Sequence, residues 1–331
     1  MRVIVIGGTR FIGRAVVAAL TGAGHDVLLV HRGEHEPAGL PDVPHLHANR
    51  RALGDHGDRL TGFDALVDVC AMTGPDASAL LDAVPGDPHL IVASSQDVYQ
   101  AFSSLLAGRV TEPVPLDEDA ALRDGPLEER RSRDDPDWDF DAAAYEKLDV
   151  ERAYLARGGT VLRLPFTYGE HDYQRREEAL LRRVRAGRTR IPVGPGTLLW
   201  SKGYAGDIAE AVRLTVETPA SAGQVLNLAE SRTVSMGQWS VRVLEAAGAT
   251  DVELVKVDDK LVPPDLLLTT TMAQHVLVDA SRARALLRWS DTDPVEAGRR
   301  SVEWHLANPP EEPEPPDAFA ADDRALATLP S

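Results

Sequence analysis

Apolar positions fall into two patterns along the chain: short unbroken runs, and longer stretches with helical spacing. Val3 to Ile6 is a β-branched run without a polar interruption, the pattern of a parallel strand covered on both faces. Phe11 to Leu20 follows with apolar residues at helical spacing. His25 to His31 predicts a second strand, Pro44 to His47 a short third and Phe63 to Ala71 a fourth. A helix near Asp76 to Val84, a fifth strand at Leu90 to Ser94, a long helix from about Asp141 to Arg157 and a sixth strand at Thr160 to Leu164 continue the series. Strands alternating with helices predict an α/β fold, a Rossmann doubly wound parallel sheet with right-handed crossovers. Ligands in such sheets bind at the carboxyl ends of the strands.

Two regions depart from the rhythm. Residues 109–141 carry Pro113, Pro115, Pro126, Pro136 and many acids, which predicts a long loop placed beside the fifth strand to cover a substrate. From Tyr168 onward the signals mix: an arginine-rich helix near 174–187, a helix at 206–217, a strand at 224–228, and helices near 235–247 and 279–287. We expect a dinucleotide-binding domain at 1–165 to which 204–230 returns, and a smaller mixed α/β substrate lobe from 166–203 and 231–307. The Pro and Glu run from Asn308 predicts an irregular or disordered acidic tail over 308–331.

Composition narrows the classes. The 331 residues suffice for such a fold, and a net charge of −17 argues against nucleic acid as a partner. No run of about 18 apolar residues predicts a membrane span, and residues 1–6 already read as a core strand rather than a secretion signal. The single cysteine, Cys70, excludes an internal disulfide and any multi-cysteine metal site. A cytoplasmic enzyme is expected. Arg175, Arg176, Arg182, Arg183, Arg185, Arg188 and Arg190 crowd one stretch; they suit either an anionic substrate or a solvated helix face balanced by Glu177 and Glu178, the preferred reading. The histidines at 25, 31, 35, 45, 47 and 56 lack a zinc-binding cysteine or a His-x-x-x-His pattern. They read as strand ends and solvent loops, so no metal is expected.

The junction of the first strand and helix carries the chemistry. In Gly7-Gly8-Thr9-Arg10-Phe11-Ile12-Gly13, Gly7 and Gly8 let the backbone turn tightly and approach a phosphate, and Gly13 lets the helix pack closely. The free N–H groups and positive dipole end of that helix face the turn. A dinucleotide pyrophosphate is the predicted occupant. The second strand ends in Val30-His31-Arg32-Gly33, which puts a cation where a carboxylate would hold a free ribose 2′-hydroxyl. With Arg10 on the other side, this predicts NADP in preference to NAD, while Glu34 keeps NAD as the alternative.

With that turn followed by Ser94-Ser95-Gln96-Asp97-Val98-Tyr99, Lys147-Leu148-Asp149-Val150-Glu151, Leu162-Arg163-Leu164-Pro165-Phe166-Thr167-Tyr168-Gly169, Tyr204-Ala205-Gly206-Asp207-Ile208-Ala209 and Asn227-Leu228-Ala229, the chain resembles the extended short-chain dehydrogenase/reductases over roughly residues 1–306. It looks most like their atypical branch, which includes isoflavone-reductase-like and chloroplast stem-loop-binding-like proteins. Such chains are usually NAD(P)-dependent epimerases, dehydratases or reductases. The resemblance implies contacts to adenine from Asn49 and Arg50, and a cofactor lined by Cys70, Ala71, Met72, Leu164 and Pro165. It further implies a hydroxyl partner at Ser95, a ribose-holding lysine at Lys147, and a substrate side at Ser95, Thr167, Tyr168, His171 and Arg176. A homodimer is common among such proteins.

Two departures stand out. Arg10 replaces the middle glycine of the turn, and Ala143 occupies the position of the proton-transferring tyrosine, four residues before Lys147. Tyr145 is two residues nearer, roughly 200° around a helix, and is expected to point away from the cleft unless the helix start is irregular. Tyr99, Tyr168, His171 and Tyr173 are placed by connectivity to face the cleft. The expected function is an NAD(P)-dependent oxidoreductase, epimerase or dehydratase acting on a sugar nucleotide or polar small metabolite. The alternative is a catalytically silent NADP-binding regulatory or scaffolding protein. RNA binding is disfavoured by the charge.

Overall fold

The computed structural model describes residues 1–128 and 142–329. Its strands are β1 (Arg2–Ile6), β2 (Asp26–His31), β3 (His45–His47), β4 (Ala65–Asp68), β5 (His89–Ser95), β6 (Thr160–Leu164), β7 (Phe166–Tyr168), β8 (Arg190–Val193), β9 (Lys202–Tyr204), β10 (Val225–Asn227) and β11 (Glu253–Lys256). Seven of them form one sheet in the order β10-β6-β5-β4-β1-β2-β3, and every pairing is parallel. The remaining strands pair as β7 with β9 and β8 with β11. The order reverses between β1 and β4, which opens a crevice at their carboxyl ends, where Ile6 pairs with Asp68.

Side-chain alternation explains why both faces of the sheet are dry. Val3 and Val5 of β1 join one core with Val16, Val17 and Leu20 of helix α1 (Phe11–Gly22), while Ile4 and Ile6 join a second core with Leu80 and Leu81 of α2 (Gly74–Ala83). A short helix α3 (Gln100–Leu106) follows β5, and α4 (Lys147–Leu155) packs beside α2. Helix α5 (Glu178–Arg185) precedes β8, and α6 (Ala205–Glu217) lies against α1 before the chain returns to the sheet as β10. The later helices are α7 (Met236–Ala246), α8 (Ser281–Leu287), α9 (Pro294–Ala307) and α10 (Ala320–Leu326).

The structure corrects three expectations. The fourth strand stops at Asp68 rather than Ala71, because the Asp68 carboxylate turns back to accept the Cys70 N–H at 3.0 Å. The long helix does not begin near Asp141, which lies outside the described residues; residues 142–144 form a 3₁₀ turn and α4 starts only at Lys147.

The third correction concerns the tail and the arginines. α10 lies within 308–331, a stretch expected to be irregular. Arg183 of α5, 1 % exposed, grips Asp322 of α10 through two bonds of 2.7 Å and also binds Asp265 at 2.7 and 3.0 Å. Arg182 adds Glu314 and Asp265, Arg188 adds Asp323, and the Phe319 ring lies beneath all three guanidinium groups. This part of the arginine run is therefore neither a solvated face nor a substrate clamp. It docks the acidic tail.

Candidate active site

A cleft of about 910 Å³ opens where β1 and β4 end. Its floor is the glycine turn. Gly7 has φ +86°, and a Cβ there would sit 2.4 Å from Cys70 Sγ; a Cβ on Gly13 would sit 2.3 Å from the Gly7 carbonyl oxygen. Neither position has room for a side chain, so the turn and the start of α1 are held as close as backbone allows. Gly8 is tightly packed as well: its Cβ would sit 2.5 Å from Leu29. Among the described residues no side chain caps α1, so its first N–H groups face the cleft beside Thr9, Arg10, Phe11 and Ile12.

Arg32 and Glu34 form an ion pair at 2.6 Å on the outer wall, where Asn49, Arg50 and Arg51 also line the cleft. Arg50 is tied down: it binds both oxygens of buried Asp68 at 3.1 and 3.3 Å and Cys70 Sγ at 2.5 Å, and Tyr154 OH donates to the same carboxylate at 3.0 Å. Burial pushes the Cys70 thiol up, although Arg50 pulls it down, so Cys70 is a packed wall rather than a nucleophile. Met72 lines the cleft, whereas Ala71 is fully buried and offers only its carbonyl, to Lys147.

The inner end is built by β5, α4 and the proline-rich loop. Ser95 ends β5, and its hydroxyl oxygen accepts the Asp97 N–H at 3.2 Å. Lys147 reaches beneath the cleft and donates to Ala71 O at 2.5 Å and Ala93 O at 3.0 Å. Burial lowers its ammonium pKa, and Asp97 and Asp68 oppose that shift.

Tyr145 stands beside these groups in the cleft wall, while Ala143 is exposed and outside it. The expected outward orientation fails because Tyr145 precedes the helix. Glu146 is extended, with φ −158°, and its side chain accepts the Leu148 N–H at 3.0 Å as the N-cap of α4. Arg123 of the loop holds that cap with both carboxylate oxygens and binds Asp97 O at 3.1 Å. The Tyr145 hydroxyl then donates to Asp97 Oδ2 at 2.6 Å. The sequence reading missed Asp97 and Arg123, because their role depends on a loop that carries no periodic signal.

The other candidates separate. Leu164, Pro165, Thr167, Tyr173 and Arg176 line the cleft, with Arg176 also ion-paired to Asp172 at 2.9 Å. Tyr99 lies outside the cleft and fully buried, donating to Asn227 Oδ1 at 2.7 Å and accepting from Arg163 at 3.0 Å; burial raises its pKa. Arg163 in turn binds both oxygens of Glu151, which also accepts from Ser94 at 2.5 Å. Glu151 thus anchors α4 to β5 and β6. Tyr168 sits behind the cleft against Glu177 and Trp239, and His171 packs on Trp304 with ring centroids 4.5 Å apart. No helix among the described residues is long and apolar enough to cross a membrane.

Known proteins share this architecture and much of the sequence pattern. The NAD dependent epimerase/dehydratase family profile matches residues 3–229. The chloroplast stem-loop binding protein of 41 kDa b of Arabidopsis thaliana is 24% identical over 307 residues, covering 87% of this chain and 74% of the relative. The 2'-dehydrokanamycin reductase of Streptomyces kanamyceticus is 27% identical over 259 residues, covering 75% of this chain and 67% of the reductase. Among solved structures, MoeE5 in complex with UDP-glucuronic acid and NAD superposes with a TM-score of 0.68 at 20% identity, covering 93% of this chain and 100% of that one. With its glycine turn, its parallel sheet and this match, the chain belongs to the NAD-dependent epimerase/dehydratase family.

Proposed function

We propose that the chain exchanges hydride between NADP and an oxygen-bearing carbon of a sugar nucleotide or polar small metabolite, with Tyr145 as the proton-transferring group in place of Ala143. The observation that carries this is the Tyr145 hydroxyl in the cleft wall, bonded to Asp97 at 2.6 Å beside Ser95 and Lys147. The uncapped start of α1 would take the pyrophosphate, and Arg10 and Arg32 the 2′-phosphate. The nicotinamide, when bound, supplies the hydride exchange. Ser95 already accepts the Asp97 N–H, so its own hydroxyl proton is left to donate to the substrate oxygen. Tyr145 lines the cleft and donates to Asp97, and a phenolic oxygen also accepts. It takes the proton of a substrate hydroxyl as its own passes to Asp97, and returns it in the reverse direction to a carbonyl. Lys147, held by the Ala71 and Ala93 carbonyls, supports this part of the site and would hold the nicotinamide ribose.

The substrate class draws support from the relatives. One is named for reducing 2'-dehydrokanamycin, and a structural neighbour holds UDP-glucuronic acid with NAD. The test is a panel of keto sugars and sugar nucleotides with NADPH and NADH. Tyr145→Phe is expected to lower turnover by about 10²- to 10⁴-fold, and Ala143→Tyr to leave it within twofold. Activity indifferent to Tyr145→Phe sinks the assignment, and absence of turnover from the whole panel favours a silent cofactor-binding protein. For the cofactor, Arg32→Asp is expected to move the NADP to NAD affinity ratio at least tenfold toward NAD in a calorimetric titration. An unchanged ratio refutes the role of Arg32.

A further inference from the structure

Three imidazoles and a carboxylate converge at the β3 edge of the sheet. His31 ends β2, His45 and His47 hold alternate positions on β3, and Glu36 belongs to the loop between the two strands. The register pairs Leu29 with His45 and His31 with His47, so strand alternation turns all three rings to one face. His31 Nε2 lies 3.0 Å from His45 Nδ1. Glu36 Oε1 lies 2.6 Å from His47 Nε2, 3.4 Å from His45 Nδ1 and 3.6 Å from His31 Nε2. All four donor atoms fall within 4.8 Å of one another. Ligand atoms about 2.0 to 2.1 Å from a tetrahedral Zn²⁺ stand about 3.3 Å apart, so one ion fits among these donors after sub-ångström adjustment. The rings meet edge to face at 75° to 79° instead of stacking.

We propose that His31, His45, His47 and Glu36 bind a divalent cation, with Zn²⁺ the ion that suits three imidazoles and a carboxylate at tetrahedral spacing. The site ties β2, β3 and the intervening loop together. The Gly33 N–H donates to His31 Nδ1 at 3.2 Å, which leaves the ring proton on Nε2. Coordination through Nε2 moves that proton to Nδ1, so the Gly33 bond gives way and the turn carrying Arg32 responds to the ion. The proposal does not depend on the reaction in the cleft.

The test uses the full chain, stripped with a chelator and titrated with Zn²⁺ by calorimetry. One ion per chain is expected, and Co²⁺ in its place should give the intense visible bands of tetrahedral coordination. His47 and Glu36 are about half exposed, so His47→Gln and Glu36→Gln should melt like the parent without metal while each weakens Zn²⁺ binding at least tenfold. Binding of less than one ion per chain, a weak octahedral Co²⁺ spectrum, or variants that bind Zn²⁺ within threefold of the parent would each overturn it.

Discussion

At the scale of single residues, one extended residue, Glu146, resets the direction of the chain before α4 begins, and Tyr145, two positions after Ala143, enters the cleft wall as a result. A second residue carries a pH signature. Glu177 is buried beneath α9, where Ser301 donates to it at 2.6 Å, and burial pushes its carboxyl from the ordinary 4.5 up to about 7. The native state then binds this proton more tightly than the unfolded chain. Stability contributed at low pH is therefore lost as pH rises from about 4.5 through 7 and is level above that. Glu177→Gln keeps an acceptor for Ser301 and removes the charge. Thermal melts should show the variant more stable than the parent at pH 8, by up to about 3 kcal/mol, with the gap closing by pH 4.5; a gap independent of pH would contradict the assignment.

At the scale of elements, the start of α4 is held by a loop that the sequence describes only as proline-rich and acidic. Arg123, 4 % exposed, bridges Glu146 and the Asp97 carbonyl. Arg123→Ala leaves that carboxylate without its buried partner, and we expect a loss of about 3 to 5 kcal/mol in urea unfolding. Activity should fall more than tenfold under conditions where the variant stays folded, since Tyr145 loses its brace; full activity would mean that the cap holds Tyr145 unaided. The strands and the glycine turn were legible because burial on both faces and the absence of room for a Cβ both write themselves into residue type. The placement of Tyr145 was not, because a 3.6-residue period was carried back through a position where the helix had not yet begun. The three histidines likewise read as strand ends, and they are strand ends; their convergence is a property of register between β2 and β3.

For the whole molecule, the arginine-rich helix and the acidic tail are halves of one interaction. Weighed only against sequence neighbours, the helix reads as a solvated face and the tail as irregular; the partner that changes both lies far along the chain. Asp322→Asn weakens the charge opposite buried Arg183 and is expected to cost about 3 kcal/mol, read as a lower urea midpoint with an unchanged slope. A midpoint within error of the parent would show that Asp265 suffices alone. Arg183 and Asp322 are 139 residues apart in sequence, and that separation has a consequence during synthesis. At about 5 to 20 residues per second, a ribosome that has made Arg183 needs roughly seven to twenty-eight seconds more to reach Asp322. Asp265, 82 residues after Arg183, emerges well before that, so the guanidinium meets one carboxylate early and the tail closes over it only later, and until then that side of α5 stays open to a chaperone or to an acidic stretch of another molecule.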